Sequence, residues 1–161
     1  MVMRSLRWSP CLLLLVLVTA CSPRGTGVSR PPGSLPAYAH NDYTNREPLR
    51  EALRLGYRGV EADFFLVDGE LLVAHDRDET RADCTLRSLY LEPLRQIVAD
   101  SGRVCPNGQS FILNIEAKEP GREAFAALHD LLLEYQDMLV HVNQGEEVPG
   151  PVPVSYTHLR A

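Results

Sequence analysis

Lysine is almost absent from this chain: of 16 Lys and Arg residues among 161, one is a lysine, Lys118. Acids outnumber bases, 21 to 16, for a formal net charge of −5. That balance argues against nucleic acid as a partner, because binding a phosphate backbone requires a positive surface. Long hydrophobic runs are also missing. The unbroken apolar stretch Leu12 to Val18 is too short for a comfortable transmembrane span. Cysteine is scarce, with Cys11, Cys21, Cys84 and Cys105 only. Cys84 and Cys105 lie 21 positions apart with no second close-spaced pair or neighbouring histidines, so no zinc motif is present. No internal repeat defines a solenoid.

The first 20 residues read as an export signal. Arg4 and Arg7 precede the apolar run, and Val18-Thr19-Ala20-Cys21 has the form of a bacterial lipobox. On this reading Cys21 is the lipidated first residue of an exported bacterial lipoprotein, held at an outer membrane or cell surface by its anchor. Removing residues 1–20 leaves a formal charge of −7. Residues 21–34 are rich in Pro, Gly and Ser, as expected of a tether. Export would leave Cys84 and Cys105 as the two remaining thiols, which in an oxidising compartment would either close a local disulfide or stay as two unpaired buried cysteines; sequence alone fixes no geometry for the bridge.

The body is organised around Gly59 to Asp76. Alternation puts Val60, Ala62, Phe64 and Leu66 on one strand face and Glu61 and Asp63 on the other. Two carboxylates on one face of an apolar strand require a cation or hydrogen-bond donors to compensate them, and a divalent metal is the economical candidate. Asp68-Gly69 marks a tight turn, from which Glu70 to Ala74 returns as a second strand ending at His75-Asp76. Upstream, Leu35 to Asn41 predicts a strand. It is followed by a helix with a Thr44/Glu47 capping box, Pro48 in its first turn, an apolar face of Leu49, Ala52 and Leu53, and Gly56 at its end.

Downstream, Thr85 to Leu91 and Leu94 to Val98 read as two helical pieces separated or bent by Pro93. Phe111 to Lys118 reads as a strand with Asn114, Glu116 and Lys118 on the face opposite Phe111, Leu113, Ile115 and Ala117. Pro120 opens a helix carrying Phe125, Leu128, Leu131, Leu132 and Tyr135 on its apolar side, and Met138 to Val142 begins a further strand. His129 and His141 read as structural or surface residues.

Strands alternating with helices imply an α/β fold, and chemistry-bearing residues near strand ends suit a β/α barrel. Glu61, Asp63 and Glu116 provide the oxygen-rich set that Mg²⁺ or Ca²⁺ prefers, with Asn41 as a neutral oxygen donor. His40 and His75 suit proton transfer. Asp42, Asp76, Asn114 and Lys118 are expected to contact substrate or support the ligands.

The ordered set H-N-D-Y, V-E-A-D-F, L-L-V-A-H-D, T-L-R-S-L-Y-L-E-P-L and I-E-A-K resembles the phosphatidylinositol-specific phospholipase C/glycerophosphodiester phosphodiesterase superfamily. The similarity is strongest to the branch that includes altered inheritance of mitochondria protein six. It implies a TIM-type (β/α)8 barrel, with His40 and His75 as catalytic histidines and Glu61, Asp63 and Glu116 at acidic metal positions. Asn41 matches the asparagine beside the first histidine in phospholipase C-like members, whereas glycerophosphodiesterases more often have arginine and glycine there.

The implied function is metal-dependent hydrolysis of a phospholipid head group, a glycerophosphodiester or a related small phosphodiester. A full barrel needs about 250 residues. Residues 35–154 are therefore expected to be its N-terminal part, truncated, and Ser155 to Ala161 resembles a peptide translated from sequencing adapters rather than native sequence. An incomplete barrel would be weak or inactive. The alternative is a lipid-tethered, non-catalytic module that binds a phosphate ligand.

Overall fold

A computed structural model describes residues 29–157. The signal, Cys21 and the last four residues, His158 included, lie outside them.

Four parallel strands build the sheet: β1 (Leu35–Ala39), β2 (Tyr57–Val67), β4 (Ile112–Ala117) and β7 (Val154–Thr157), side by side in that order. Strand order follows chain order, as in a barrel; a doubly wound sheet would reverse at a switch point. The sheet is curled, a half-barrel consistent with part of a TIM-type fold. β3 (Glu70–Val73) folds back antiparallel on β2, with Phe64 opposite Val73. Asp68 and Gly69 both have positive φ, 50° and 86°, which gives the turn the right-handed twist that a two-residue hairpin needs.

Both faces of β2 are buried. Val60, Ala62 and Phe64 pack under the helices, and Glu61 and Asp63, on the other face, are 6% and 2% exposed. Leu113, Ile115 and Ala117 of β4, and Phe111 just before it, are buried as expected from their alternation. The covering helices are α1 (Arg50–Leu55), α2 (Glu92–Ser101) and α3 (Arg122–Leu133). Leu49, Leu91, Leu94, Leu128 and Tyr135 join the strand residues in one core.

Several local expectations are corrected. The capping box does not form: Thr44 Oγ1 donates to Asn41 O at 2.8 Å. The entry to α1 is held instead by Asp42, whose Oδ2 accepts the Leu49 N–H at 2.5 Å. Thr85 to Val98 is not split. A π-helical turn at Arg87–Leu91 runs directly into α2, with the Glu92 N–H bonded to Arg87 O, and Pro93 stands in the first turn of α2 without breaking the run. Phe125 is 45% exposed and stacks on His129, ring centroids 6.2 Å apart.

The strand expected from Met138 becomes β5 (His141–Asn143), paired with β6 (Glu146–Val148) in a separate hairpin. At its start the His141 ring nitrogen Nδ1 sits 3.1 Å from Leu139 O. The end of the expected tether is tied to the body, Arg30 N to Arg54 O at 2.9 Å and Gly33 N to Tyr57 O at 3.1 Å. No helix among the described residues is long and apolar enough to cross a membrane.

Cys84 and Cys105 do not form the disulfide. Cys84 O accepts the Val73 N–H opposite Phe64, while Cys105 packs on Gly33, which is bonded to Tyr57 at the other end of β2. The seven residues between these ends span about 23 Å at about 3.3 Å each, against a Cα separation below about 7 Å for a disulfide. Gly33, at φ +80°, has no space for a side chain, since a Cβ would come within 2.7 Å of the Cys105 sulfur.

Candidate metal centre

Register assembles the site. Parallel pairing sets Glu61 beside Asn114 and Asp63 beside Glu116, so the carboxylates of β2 and β4 converge on one face. Glu61, Asp63 and Glu116 each offer an oxygen within 4.8 Å of the others. Positions 53 and more apart in sequence become neighbours because both strands alternate with period two.

Each histidine reaches one carboxylate. His40, just past β1, places Nε2 3.2 Å from Glu61 Oε2. The β2–β3 hairpin returns His75 to the level of Asp63, with Nδ1 3.4 Å from Oδ2. Asn41 has a left-handed backbone, φ 48° and ψ 44°, and its main-chain N–H donates to Glu61 Oε2 at 3.2 Å. Its observed link to the cluster is thus through backbone. Asn114 Nδ2 donates to Glu61 Oε1 at 3.3 Å.

Lys118 bridges two of the acids, Nζ lying 3.2 Å from Asp63 Oδ2 and 3.5 Å from Glu116 Oε1. Burial alone would lower its pKa, but the hydrogen bond and charge of Asp63, with those of Glu116, outweigh it, and the ammonium lies above the ordinary lysine range.

One expected residue, Asp42, is engaged away from the cluster. Asp42 is fully buried, but its carboxylate accepts from Leu49 N–H, from Tyr90 OH at 3.2 Å and from Asn45 Nδ2 at 3.3 Å, all on the side of α1 and the π turn. Its role is to fix the start of the first helix. Burial raises its pKa, opposed by those three donors. Asp76 is exposed and precedes the short turn Arg77–Glu79 without capping it.

Tyr43 belongs to the site and was not singled out from sequence. Its hydroxyl donates to Asp63 Oδ2 at 2.7 Å and lies 3.3 Å from His75 Nδ1. The available signal was its place in H-N-D-Y, three residues after His40. Burial, reinforced by the hydrogen bond to Asp63, raises its pKa well above the ordinary phenol range.

The donor set fits a divalent cation. Asp63 Oδ2 has three neighbours, Tyr43, His75 and Lys118, whereas Oδ1 is buried without a hydrogen-bond partner among the described residues. Three carboxylates against one ammonium leave two formal negative charges in a largely buried cluster. Such charge is costly unless a cation offsets it, and an all-oxygen set suits hard cations.

Fold and site together define an α/β half-barrel with an acidic cluster flanked by two histidines. Residues 27–109 match the model of the AIM6-like phosphodiesterase domain, and the chain belongs to that family. It is 30% identical over 152 residues to the altered inheritance of mitochondria protein 6 homolog of Arthroderma benhamiae, covering 80% of this chain and 48% of that protein. It is 34% identical over 141 residues to altered inheritance of mitochondria protein 6 of Eremothecium gossypii, covering 76% of this chain and 36% of that one. The chain therefore spans about half or less of the curated relatives it matches. These relatives are fungal proteins named for the inheritance of mitochondria, which overturns the expectation of a bacterial lipoprotein exported to an outer membrane or cell surface.

Proposed function

We propose that this chain carries the metal and proton-transfer residues of a phosphoric diester hydrolase acting on a phospholipid head group, a glycerophosphodiester or a similar small phosphodiester. The observation that carries this reading is the convergence of Glu61, Asp63 and Glu116 within 4.8 Å, with His40 against the first and His75 against the second. Membership in the family described as the AIM6-like phosphodiesterase domain supports it.

Glu61, Asp63 and Glu116 would hold one Mg²⁺ or Ca²⁺, with Asn41 as a further oxygen donor. The bound cation would supply neutralisation of phosphate charge. His40 and His75 would exchange protons with the attacking and leaving oxygens, each imidazole oriented by its carboxylate. Lys118 would keep Asp63 and Glu116 in place, and Asn114 would do so for Glu61.

The test is turnover of a phosphodiester panel by this chain and by one longer fungal relative, with and without chelator, beside His40→Gln and His75→Gln. Chelator-sensitive turnover that falls about 100-fold or more in either variant is expected. Turnover that survives chelation or loss of His40 would sink the mechanism. Metal and phosphate binding with no turnover anywhere on the panel would make the domain a phosphate-ligand binding module.

A further inference from the structure

The geometry points to Tyr43 as a positioning residue that, with Asp63, pins the proton of His75 on Nδ1 and so leaves Nε2 as the one nitrogen through which this histidine exchanges protons. The inference rests on the proposed hydrolase reading for its catalytic meaning, but the hydrogen-bond argument stands on its own.

A phenol has a single proton to donate. The Tyr43 hydroxyl gives it to Asp63 Oδ2 at 2.7 Å, the shorter of its two contacts and one to a carboxylate that only accepts. Toward His75 Nδ1, 3.3 Å away, the same oxygen can then only accept. The second group near Nδ1 is Asp63 Oδ2 itself, at 3.4 Å, which is also an acceptor. A bare Nδ1 would bring its lone pair against two acceptors. Nδ1 therefore carries the hydrogen in the neutral ring, and the free lone pair is on Nε2.

The arrangement also divides the two oxygens of Asp63. Oδ2 accepts from Tyr43 and lies 3.4 Å from His75 and 3.2 Å from Lys118, and Oδ1, buried with no partner among the described residues, is left for a ligand. Tyr43 thus joins the proton-transfer group to the metal-binding group through one carboxylate oxygen. Its position follows from local chain geometry, since the helical turn Asp42–Thr44 begins at left-handed Asn41 and turns the Tyr43 ring back over β2.

The decisive measurement is the tautomer of His75 in the full chain, read from its ring ¹⁵N shifts at a pH where imidazole is neutral, with His75→Gln identifying the signals. The wild type should be predominantly Nδ1–H without added metal. In Tyr43→Phe, which retains the ring but not the hydroxyl, the signals should move toward a mixture of tautomers. Where the wild type turns over a phosphodiester, Tyr43→Phe should lower kcat about 10-fold or more with KM little changed, as loss of an orienting partner does. A wild-type ring protonated on Nε2 overturns the inference, and this result needs no variant to fold. An unchanged tautomer in folded Tyr43→Phe overturns it too. A domain that never turns over substrate but shows both tautomer results keeps this inference and loses the hydrolase reading.

Discussion

Asn114 on β4 stands in register beside Glu61 on β2, and its amide nitrogen reaches the Glu61 carboxylate, Nδ2 to Oε1 at 3.3 Å. The contact orients one acid of the cluster without adding charge to it. Asn114→Ala should therefore weaken Mg²⁺ or Ca²⁺ binding about 10-fold, the usual effect of losing a partner that orients a ligand. Titration calorimetry of the folded variant checks this, and an affinity equal to wild type would show that the amide is not needed.

Asp42 offers a contrast among the acids. Its carboxylate caps the first helix at Leu49 and accepts the buried Tyr90 hydroxyl. Asp42→Ala should cost about 2–4 kcal/mol by stranding a backbone N–H and a phenol in the interior. Cation affinity should stay within about 2-fold when measured well below the melting temperature. Urea unfolding supplies the first number and calorimetry the second.

Tyr90 is fully buried against Asp42, and burial, with the charge of Asp42, raises its phenol above the ordinary value of 10.0. Its folded-state pKa thus exceeds its unfolded one, and unfolding above pH 10 releases a proton. The stability this group contributes is complete below pH 10 and declines as pH rises above it. Tyr90→Phe should lower stability at neutral pH by about 1 kcal/mol for the lost hydrogen bond and flatten the decline at alkaline pH. Denaturant midpoints from pH 8 to 11 test the sign.

Two phenylalanines separate core from surface. Phe111 is fully buried at the foot of β4, and Phe125 is 45% exposed on α3. Phe111→Ala should cost about 3–5 kcal/mol, and Phe125→Ala about 0.5 kcal/mol or less. Equal losses in a urea series would contradict this packing.

The sequence by itself determined which residues could do chemistry and which strand face carried them. Period-two alternation is a local property, so Glu61 with Asp63, and Asn114 with Glu116 and Lys118, could be assigned to shared faces before any strand pairing was known. Asp68-Gly69 likewise encoded its own turn, and that turn brings His75 back to Asp63. The tertiary structure alone decided how those faces meet. The β2–β4 register aligned acids more than 50 positions apart, and nothing in either strand states that register. Asp42 and Tyr43 are adjacent, yet one turns inward to Leu49 and Tyr90 while the other reaches Asp63 and His75. The short helical turn that follows left-handed Asn41 sends neighbouring side chains to opposite sides, which neither spacing nor residue type reveals. Cys84 and Cys105 show the same limit, because an 11-residue strand holds their surroundings at its two ends.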